Sequence, residues 1–414
     1  MNTHCSFLTS LEEGRWFKLI CGASYQHLPA IRDLALVYAI AGADCIDVAA
    51  DPAVVRAAQA GLEAAAAISR SAIGRSSEYS GRPLLMVSLN DGEDPHFRKA
   101  MFNPTACPSQ CHRPCEAVCP AEAITFDSRS THDHRSSTVG ILADRCYGCG
   151  RCIPICPVGQ ISTQSYRASL TAIAPTLLPA VDAIEIHTQV GREAGFKALW
   201  QVLATQINSL KLVAISCPDG SGLIDYLWAL YDLIRPLPIP LIWQTDGRPM
   251  SGDIGRGTTH ATIRLGQKVL QAGLPGYVQL AGGTNLHTVS KLAELGLLRS
   301  TTLSRGGNKT AAIAGIAYGS YARKLVMPIL EQTTLTPSSP SPLQISIRNP
   351  DSEKAISTDS PTIQPMPPKT LPLAQHHLTQ LHQAIEQASL LVNQIKGADP
   401  QDSSKGSPKS VTTA

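Results

Sequence analysis

Eight of the twelve cysteines lie in one segment, in two runs that each end in proline. The second run, CYGCGRCIPICP, has the spacing C-x2-C-x2-C-x3-C-P, which is the bacterial ferredoxin signature. Its short arc lets three thiolates reach one cubane, while the proline fixes the direction of the fourth cysteine. A structural zinc site needs only four ligands and has no use for two C-x3-C-P endings. The segment is therefore predicted to hold two iron-sulfur clusters.

The fourth cysteine of each run is expected to ligate the other run's cluster, as in two-cluster ferredoxins. The predicted ligands of the first cluster, cluster A, are Cys146, Cys149, Cys152 and Cys119. The predicted ligands of the second, cluster B, are Cys107, Cys111, Cys115 and Cys156. The first run, CPSQCHRPCEAVCP, spaces its cysteines by three residues throughout and so makes a longer arc. Cluster A is thus predicted to be 4Fe-4S, whereas cluster B is either 4Fe-4S or 3Fe-4S.

Composition indicates a mainly globular chain in a reducing compartment. The 414 residues are 43% hydrophobic and 16% charged, enough to bury one large domain and a small one. The 35 basic residues nearly balance 32 acidic ones, and no basic block with interleaved aromatics predicts a nucleic-acid partner. The N-terminus has no secretion signal and no apolar run is long enough for a membrane span, so a cytoplasmic protein is expected. Clustered cysteines in such a chain bind metal more often than they form disulfides.

Outside the cysteine segment, short apolar runs alternate with helix-length amphipathic segments, a pattern typical of parallel strands joined by helices. The eight predicted strands are Phe17 to Cys21, Cys45 to Ala49, Leu84 to Leu89, Ala183 to His187, Leu212 to Ser216, Pro240 to Gln244, Tyr277 to Leu280 and Ala312 to Ile316. Eight such units predict an α/β fold with a closed (β/α)8, TIM-like barrel and the ferredoxin-like module inserted in it. An open doubly wound sheet with the same insertion is the alternative.

The cysteine module follows the third strand, so it is expected on the C-terminal face, over the barrel mouth. Within it, Ala123 to Phe126 and Val139 to Leu142 resemble the short paired strands of ferredoxins. Strand alternation also places polar residues on one parity: Lys18, Asp47, Ser88, Glu185, His187, Ser216, Gln244 and Gln279. These side chains either line a ligand pocket near the rim or satisfy one another.

Gly282 and Gly283 follow the seventh strand and open a helix, where many barrels hold a phosphate on backbone amides. With IAGIAYGSYARK after the eighth strand, this end is similar to the phosphate end of flavin-binding barrels. A phosphate site and a bound flavin are therefore hypotheses, and a plain loop is the alternative. No residue stands out as catalytic.

The domain organisation follows from these patterns and from a change in composition after Leu330, where serine, threonine and proline dominate. The predicted units are the first part of the barrel at 15–95, the iron-sulfur module at 96–165, the rest of the barrel at 166–332, a linker at 333–371, an amphipathic helix at 372–397 and a disordered tail at 398–414. The apolar seam of that helix is Ala374, Leu378, Leu381, Ile385, Ala388, Val392 and Ile395. A tethered helix with one apolar seam docks on its own barrel or on a partner.

The stretch WFKLICGASYQHLPAIRDLALVYAIAGADCIDVAAD, together with both cysteine runs, resembles the light-dependent period (LdpA) family of cyanobacteria. The resemblance implies a redox-active iron-sulfur protein on the input side of the circadian clock. It also implies clock partners, including KaiA and the histidine kinase CikA. Three interpretations follow: a redox sensor, which we favour; an oxidoreductase that passes electrons to a flavin or substrate at the barrel mouth; and a scaffold with structural clusters.

Overall fold

In the part of the chain that the structure describes, ten strands form two sheets. A computed structural model describes residues 6–72, 81–92, 97–119, 121–126, 140–165, 177–248, 255–299, 312–334 and 371–397. The strands are β1 Trp16–Gly22, β2 Cys45–Ala49, β3 Leu84–Asn90, β4 Arg98–Met101, β5 Ser162–Ser165, β6 Ala183–His187, β7 Leu212–Pro218, β8 Leu241–Asp246, β9 Tyr277–Ala281 and β10 Gly315–Tyr318. Eight of them close into a parallel barrel in the order β1-β10-β9-β8-β7-β6-β3-β2. The predicted (β/α)8 barrel is confirmed, and the open doubly wound sheet is wrong.

Helices follow most of the barrel strands, α1 precedes the first strand, and α4 and α5 lie in the cysteine module between β4 and β5. They are α1 Ser6–Glu12, α2 Leu28–Ile40, α3 Pro52–Ala72, α4 Pro114–Val118, α5 Cys152–Ile155, α6 Glu193–Leu203, α7 Leu223–Ile234, α8 Thr259–Gln271, α9 Thr288–Glu294, α10 Ser320–Thr334 and α11 Leu371–Lys396. None of the described helices is long and apolar enough to cross a membrane.

The barrel interior is apolar at the amino ends of the strands and polar at their carboxyl ends. In β3, Leu84 and Met86 belong to a buried apolar cluster inside the barrel, and Ser88 comes two residues later. In β6, Ala183 lies in the same cluster and Glu185 follows on the same side of the strand. Because side chains alternate along a strand, each inward-facing series changes from apolar to polar near the mouth. The fold thereby collects polar groups on the face that carries barrel active sites.

One predicted strand is displaced along the chain. The sequence places the eighth barrel strand at Ala312 to Ile316, whereas β10 spans Gly315–Tyr318. The residues Ala312, Ile313 and Ala314 are buried but precede the strand. The run is apolar throughout and contains no turn signal, so its composition does not mark where the ladder begins.

The C-terminal helix α11 packs on the barrel against α2, α10 and β1. Its buried apolar residues are Ala384, Ala388, Leu391, Val392 and Ile395. The predicted seam is therefore right at Ala388, Val392 and Ile395, and Leu381 and Ile385 are partly buried against the same core. It is wrong at Leu378, whose side chain is 55% exposed, and the side chain of Ala374 lies outside the described part of the structure. A straight α-helix drifts relative to a strict heptad, which moves the earlier seam position out of contact. The predicted linker and tail lie largely outside the described residues, which omit 335–370 and 398–414.

An ion pair fixes the last turn of α11. Lys396 Nζ lies 2.6 Å from both Oδ1 and Oδ2 of Asp44, which is buried in the turn before β2. The same carboxylate accepts a hydrogen bond from the Phe17 backbone N–H at 2.7 Å and from Ser10 Oγ at 2.8 Å. Burial raises the pKa of Asp44, and Lys396 opposes that rise. The ion pair between Lys396 and Asp44 thus links the end of α11 to the start of the barrel.

Replacing Leu391 with aspartate should release α11 from the barrel. Leu391 is 2% exposed and lies against the barrel helices, so a charge there must be desolvated without a partner. Hydrogen exchange in α11 should accelerate by at least about tenfold, as expected for loss of 1.4 kcal/mol or more of docking free energy. The neighbouring Leu390, which is 61% exposed, offers a matched control. Equal exchange in L391D and L390D would contradict docking through this face.

Candidate iron-sulfur site and barrel mouth

The cysteine module leaves the barrel after β3 and returns before β6. Its base is an antiparallel pair, in which Arg98 lies opposite Ser165 and Met101 lies opposite Ser162. Further inside, an antiparallel bridge joins Ile124 to Ile141, flanked by a hydrogen bond of 2.7 Å from Leu142 N–H to Ala123 O. This is where the paired short strands were predicted, although Val139 lies outside the described residues. The module is thus an insertion on the C-terminal face of the barrel.

The eight predicted ligands fall into two sets of four. The thiol of Cys107 neighbours those of Cys111 and Cys156. Cys115, in turn, neighbours Cys156 and Cys107. Cys107, Cys111, Cys115 and Cys156 therefore form one set, which is the set predicted for cluster B. Cys156 is its one member from the second run.

The other set is grouped in the same way. Cys149 neighbours Cys119 and Cys146, and Cys152 neighbours all three. Cys119 of the first run thus lies among three cysteines of the second. These are the four residues predicted for cluster A.

The four cysteines of the cluster A set line one cavity. Gly148 and Gly150 also lie in its wall, with Ala100, Ile124 and Ile141 supplying an apolar lining. Both glycines have φ near +70°, at 72° and 73°, which lets the loop wrap around the space. Among the described residues, no three His, Cys, Asp or Glu side chains are arranged to hold a single metal ion. Four thiols around a shared cavity suit a polynuclear cluster, which is larger than one ion.

Backbone amides point at several sulfurs. Ala100 N–H lies 3.4 Å from Cys146 Sγ, and Ala123 N–H lies 3.3 Å from Cys119 Sγ. At Cys156, burial alone would raise the pKa of the thiol, but amides from Val158 onward lower it. Burial and the neighbouring thiols raise the pKa of Cys152 to about 12. An iron-sulfur cluster bound here would hold Cys152 as a thiolate, so its assembly would release the proton of that thiol.

The module is anchored to the loop that follows β1. Gln26 N–H donates to Asp144 O at 2.9 Å, and Lys99 Nζ donates to Gln26 Oε1 at 2.6 Å. Tyr147, between two cysteines of the cluster A set, lies under the guanidinium of Arg323, whose Cζ is 4.2 Å from the ring centroid. Cation–π contact and backbone hydrogen bonds therefore hold this cysteine loop over the barrel mouth.

Inside the barrel, the inward polar residues form a hydrogen-bonded network around Lys18. Its ammonium contacts Glu185, donates a hydrogen bond to Gln244 Oε1 at 2.9 Å and lies 3.5 Å from Asp47 Oδ2. Ser88 Oγ donates to Asp47 at 2.9 Å. These side chains are almost completely buried. The hypothesis that the polar residues satisfy one another is therefore correct for the interior of the barrel.

Charges within the network shift its pKa values in opposite directions. Burial raises the pKa of Asp47 to about 6, against the effect of Lys18. Burial would also raise the pKa of Glu185, but Lys18 and His187 outweigh it and lower the value to about 2. Burial lowers the pKa of Lys18, yet Asp47 and Glu185 dominate and raise it above its usual value. Lys18 and Glu185 are accordingly a permanent buried ion pair at neutral pH.

A cavity of about 110 Å³ lies above this network, between the barrel and the module. Its floor includes Ser88, Glu185 and Gln244, and Cys149 of the cluster A set lies in its wall. The alternative hypothesis, that the polar residues line a pocket near the rim, is thus also supported, because Ser88, Glu185 and Gln244 border this cavity. Other wall residues are Gly282, Gly283, Arg248, Ser320, Tyr147 and Arg323.

The sequence missed Tyr147, Arg248 and Arg323 as components of the mouth. Each lies in a loop or a first helical turn, where no periodicity marks the direction of a side chain. Position supplied the only signal: Arg248 follows β8 and Arg323 follows β10, on the face where barrel sites are built.

Comparison with known proteins places the chain in a family. The profile of the LdpA Fe-S cluster-binding domain matches residues 107–167, and the profile of the Light dependent period A C-terminal domain matches residues 177–394. The chain is 52% identical over 345 residues to "Light dependent period A" of Synechococcus elongatus, covering 82% of this chain and 90% of that protein.

Proposed function

Because the chain belongs to the Light dependent period A family, we propose that it is an iron-sulfur redox sensor that reports the light-dependent redox state of the cell to the circadian clock. The observation that carries this proposal is the division of eight cysteines into two sets of four with different surroundings. Two clusters in unlike settings can respond to different oxidants or at different rates.

The two sets differ in exposure. In the cluster A set, Cys146 and Cys152 are buried, and Cys149 lines the cavity at the barrel mouth. In the cluster B set only Cys115 is buried, and Ile155 and Val158, which flank Cys156 in the sequence, are exposed. Solvent access promotes oxidation of cluster iron and of thiolate ligands. Cluster B is therefore the proposed sensing cluster.

Mild oxidation should remove iron from cluster B before cluster A. The two can be followed separately in Cys149→Ser, which is expected to retain cluster B, and Cys111→Ser, which is expected to retain cluster A. Both variants are exposed to the same amount of peroxide, and bound iron is followed by iron analysis and EPR. Iron should be lost about threefold faster or more from Cys149→Ser, because the cluster it retains, cluster B, has the more exposed ligands. Identical rates in the two variants would refute the asymmetry.

The sensor function itself is tested by partner binding. KaiA and CikA are the clock proteins that the family resemblance implies, so binding of each to the reduced and the oxidised protein should be compared by anaerobic calorimetry. A sensor must bind at least one of them with affinities that differ between the two states, because only differential affinity transmits a signal. Equal affinities in both states would exclude sensing through these partners.

A ferredoxin-type oxidoreductase is the second candidate, favoured by one observation. Cys149 of the cluster A set lines the cavity at the barrel mouth, where a flavin or substrate could exchange electrons with cluster A. The visible absorption spectrum of anaerobically purified protein distinguishes the two functions, since bound flavin and iron-sulfur clusters absorb differently. A spectrum with clusters alone, unchanged by added flavin, would count against electron transfer to flavin.

A further inference from the structure

The loop that carries the cluster A cysteines reaches the barrel mouth through Tyr147. This residue lies between Cys146 and Cys149 in the sequence, and it lines the cavity that the four cysteines of the cluster A set share. Tyr147 and Cys149 also border the cavity at the barrel mouth. Tyr147 is buried. It is therefore a direct structural link between the cluster A site and the barrel.

The guanidinium of Arg323 lies over the ring of Tyr147. Its Cζ is 4.2 Å from the ring centroid, and Arg323 is only 8% exposed. Nη1 donates to the backbone oxygens of Ile20 and Cys21, each at 2.8 Å, and Nη2 donates to Ser320 Oγ at 3.3 Å. These hydrogen bonds hold the guanidinium in place between the end of β1 and the cysteine loop.

The partners of Arg323 leave its positive charge in place. An arginine side chain does not lose its proton in a protein. Its hydrogen bonds go to two carbonyls and one hydroxyl, none of which carries a charge. Glu185 and Asp246 border the same cavity, but in the described part of the chain no carboxylate forms an ion pair with Arg323. Because the guanidinium is buried, water and salt screen its charge less than they screen a surface charge.

From this geometry we propose that Arg323 raises the reduction potential of cluster A. Reduction adds one electron, and therefore one negative charge, to the cluster and its four thiolates. A fixed positive charge beside the cysteine loop stabilises the reduced form more than the oxidised form, since net charge is one of the factors that set cluster potentials. Arg323 is thus a positioning residue, because it acts on the cluster across the Tyr147 ring without ligating iron. The inference rests on the proposed cluster A and holds for a sensor and for an oxidoreductase alike.

Redox titration of the full-length, cluster-loaded protein tests the proposal. Dithionite reduces the clusters under anaerobic conditions, and EPR follows the signals of cluster A and cluster B separately. In Arg323→Gln the midpoint potential of cluster A should fall by about 60 mV or more, which is a tenfold change in the one-electron equilibrium. The midpoint of cluster B should change by less than about twofold, or 18 mV. Arg323→Lys should recover part of the shift at cluster A because it keeps the charge.

Lys324→Gln is the matched control on the same helix. Lys324 follows Arg323 and is exposed, so water and salt screen its charge. Its removal should change the equilibrium of cluster A by less than about twofold, or 18 mV.

A second substitution, Ser320→Asp, tests the same charge without removing Arg323. The new carboxylate would pair with the guanidinium that already contacts Ser320, and a negative charge is favourable in the first turn of α10. The midpoint of cluster A should again fall, whereas the uncharged variant Ser320→Asn should leave it unchanged. If Arg323→Gln fails to assemble cluster A, this pair of variants decides the question.

Iron content and thermal unfolding show that each variant is folded and loaded. An unchanged cluster A midpoint in loaded Arg323→Gln or in Ser320→Asp would overturn the proposal, as would equal shifts of both clusters or a shift in Ser320→Asn as large as in Ser320→Asp. Absence of a cluster A signal from the unaltered protein would overturn the cluster assignment and this inference together, whereas an unshifted midpoint overturns only the role of Arg323.

Discussion

Cys156→Ser should remove the same iron-sulfur cluster as Cys111→Ser, although Cys156 belongs to the other cysteine run. Cys156 neighbours Cys107 and Cys115, whereas Cys149 neighbours Cys119 and Cys146. Serine is a poor iron ligand, so each substitution should cost roughly half of the bound iron, as expected when one of two clusters is lost. EPR of the reduced variants should show one common signal in Cys156→Ser and Cys111→Ser, and the other signal in Cys149→Ser.

Cys217→Ser is the matched control for these variants. Cys217 is buried at the end of β7 and belongs to neither cysteine set, so iron content and both EPR signals should be retained. If Cys156→Ser instead shares the spectrum of Cys149→Ser, each run ligates its own cluster and the crossed assignment is wrong.

Lys18→Met should destabilise the barrel more than substitution of any surface lysine. Lys18 is completely buried between Asp47 and Glu185, and methionine would leave both carboxylates without their cation. Breaking a buried ion pair from one side costs about 3–5 kcal/mol of unfolding free energy. Urea denaturation under anaerobic conditions measures the loss as a fall in the midpoint.

Lys211→Met provides the comparison at the surface. The side chain of Lys211 is 54% exposed, and its Nζ lies 2.7 Å from Asp182 Oδ1. Exposed pairs contribute about 0–1 kcal/mol, so this variant should unfold close to the unaltered protein. Similar losses in Lys18→Met and Lys211→Met would show that the buried network contributes little to stability.

The cost of Lys18→Met should also shrink as the pH falls from about 8 to about 6. A carboxyl whose folded pKa is raised stabilises the fold at low pH and loses that contribution as the pH rises through the folded value. Asp47, at about 6, already behaves in this way. Loss of Lys18 raises the pKa of Asp47 further and removes the main effect that lowers the pKa of Glu185. At mildly acidic pH the two carboxyls of the variant therefore become protonated and no longer need a buried cation. A difference in unfolding free energy between Lys18→Met and the unaltered protein that does not change with pH would refute the coupling.

Sequence patterns predicted the barrel because every barrel strand lies in or beside an apolar run, even where the run did not mark the first residue of the strand, as at Gly315–Tyr318. They also predicted which polar side chains face inward, since alternation along a strand is strict. The grouping of Cys156 with the first run followed from the C-x3-C-P spacing as an interpretation, and the thiol neighbours are consistent with it. Features that depend on a fixed local spacing, such as strand alternation and the cysteine runs, can therefore be predicted from sequence.

Features that depend on contacts between distant segments were not readable. The strand Ser162–Ser165 reads STQS, which has no apolar alternation, and its partner Arg98–Met101 determines its conformation. Tyr147 and Arg323 are far apart in sequence, and their contact follows only from the docking of the module on the barrel. Ala384 and Leu391 are buried although they lie outside the predicted heptad seam. The shape of the barrel surface, and not a heptad repeat, determines which residues of α11 are covered.

The pairing of β4 with β5 explains how the barrel accommodates the cysteine module. The chain leaves the barrel after β3 and comes back along an adjacent antiparallel strand, while β3 and β6 pair with each other directly. To the barrel, the whole module is equivalent to one long loop, and the entropy of closing a loop grows only with the logarithm of its length. The barrel therefore closes around the module without any change in the register of its own strands, and a change in the length of the module should cost the barrel little.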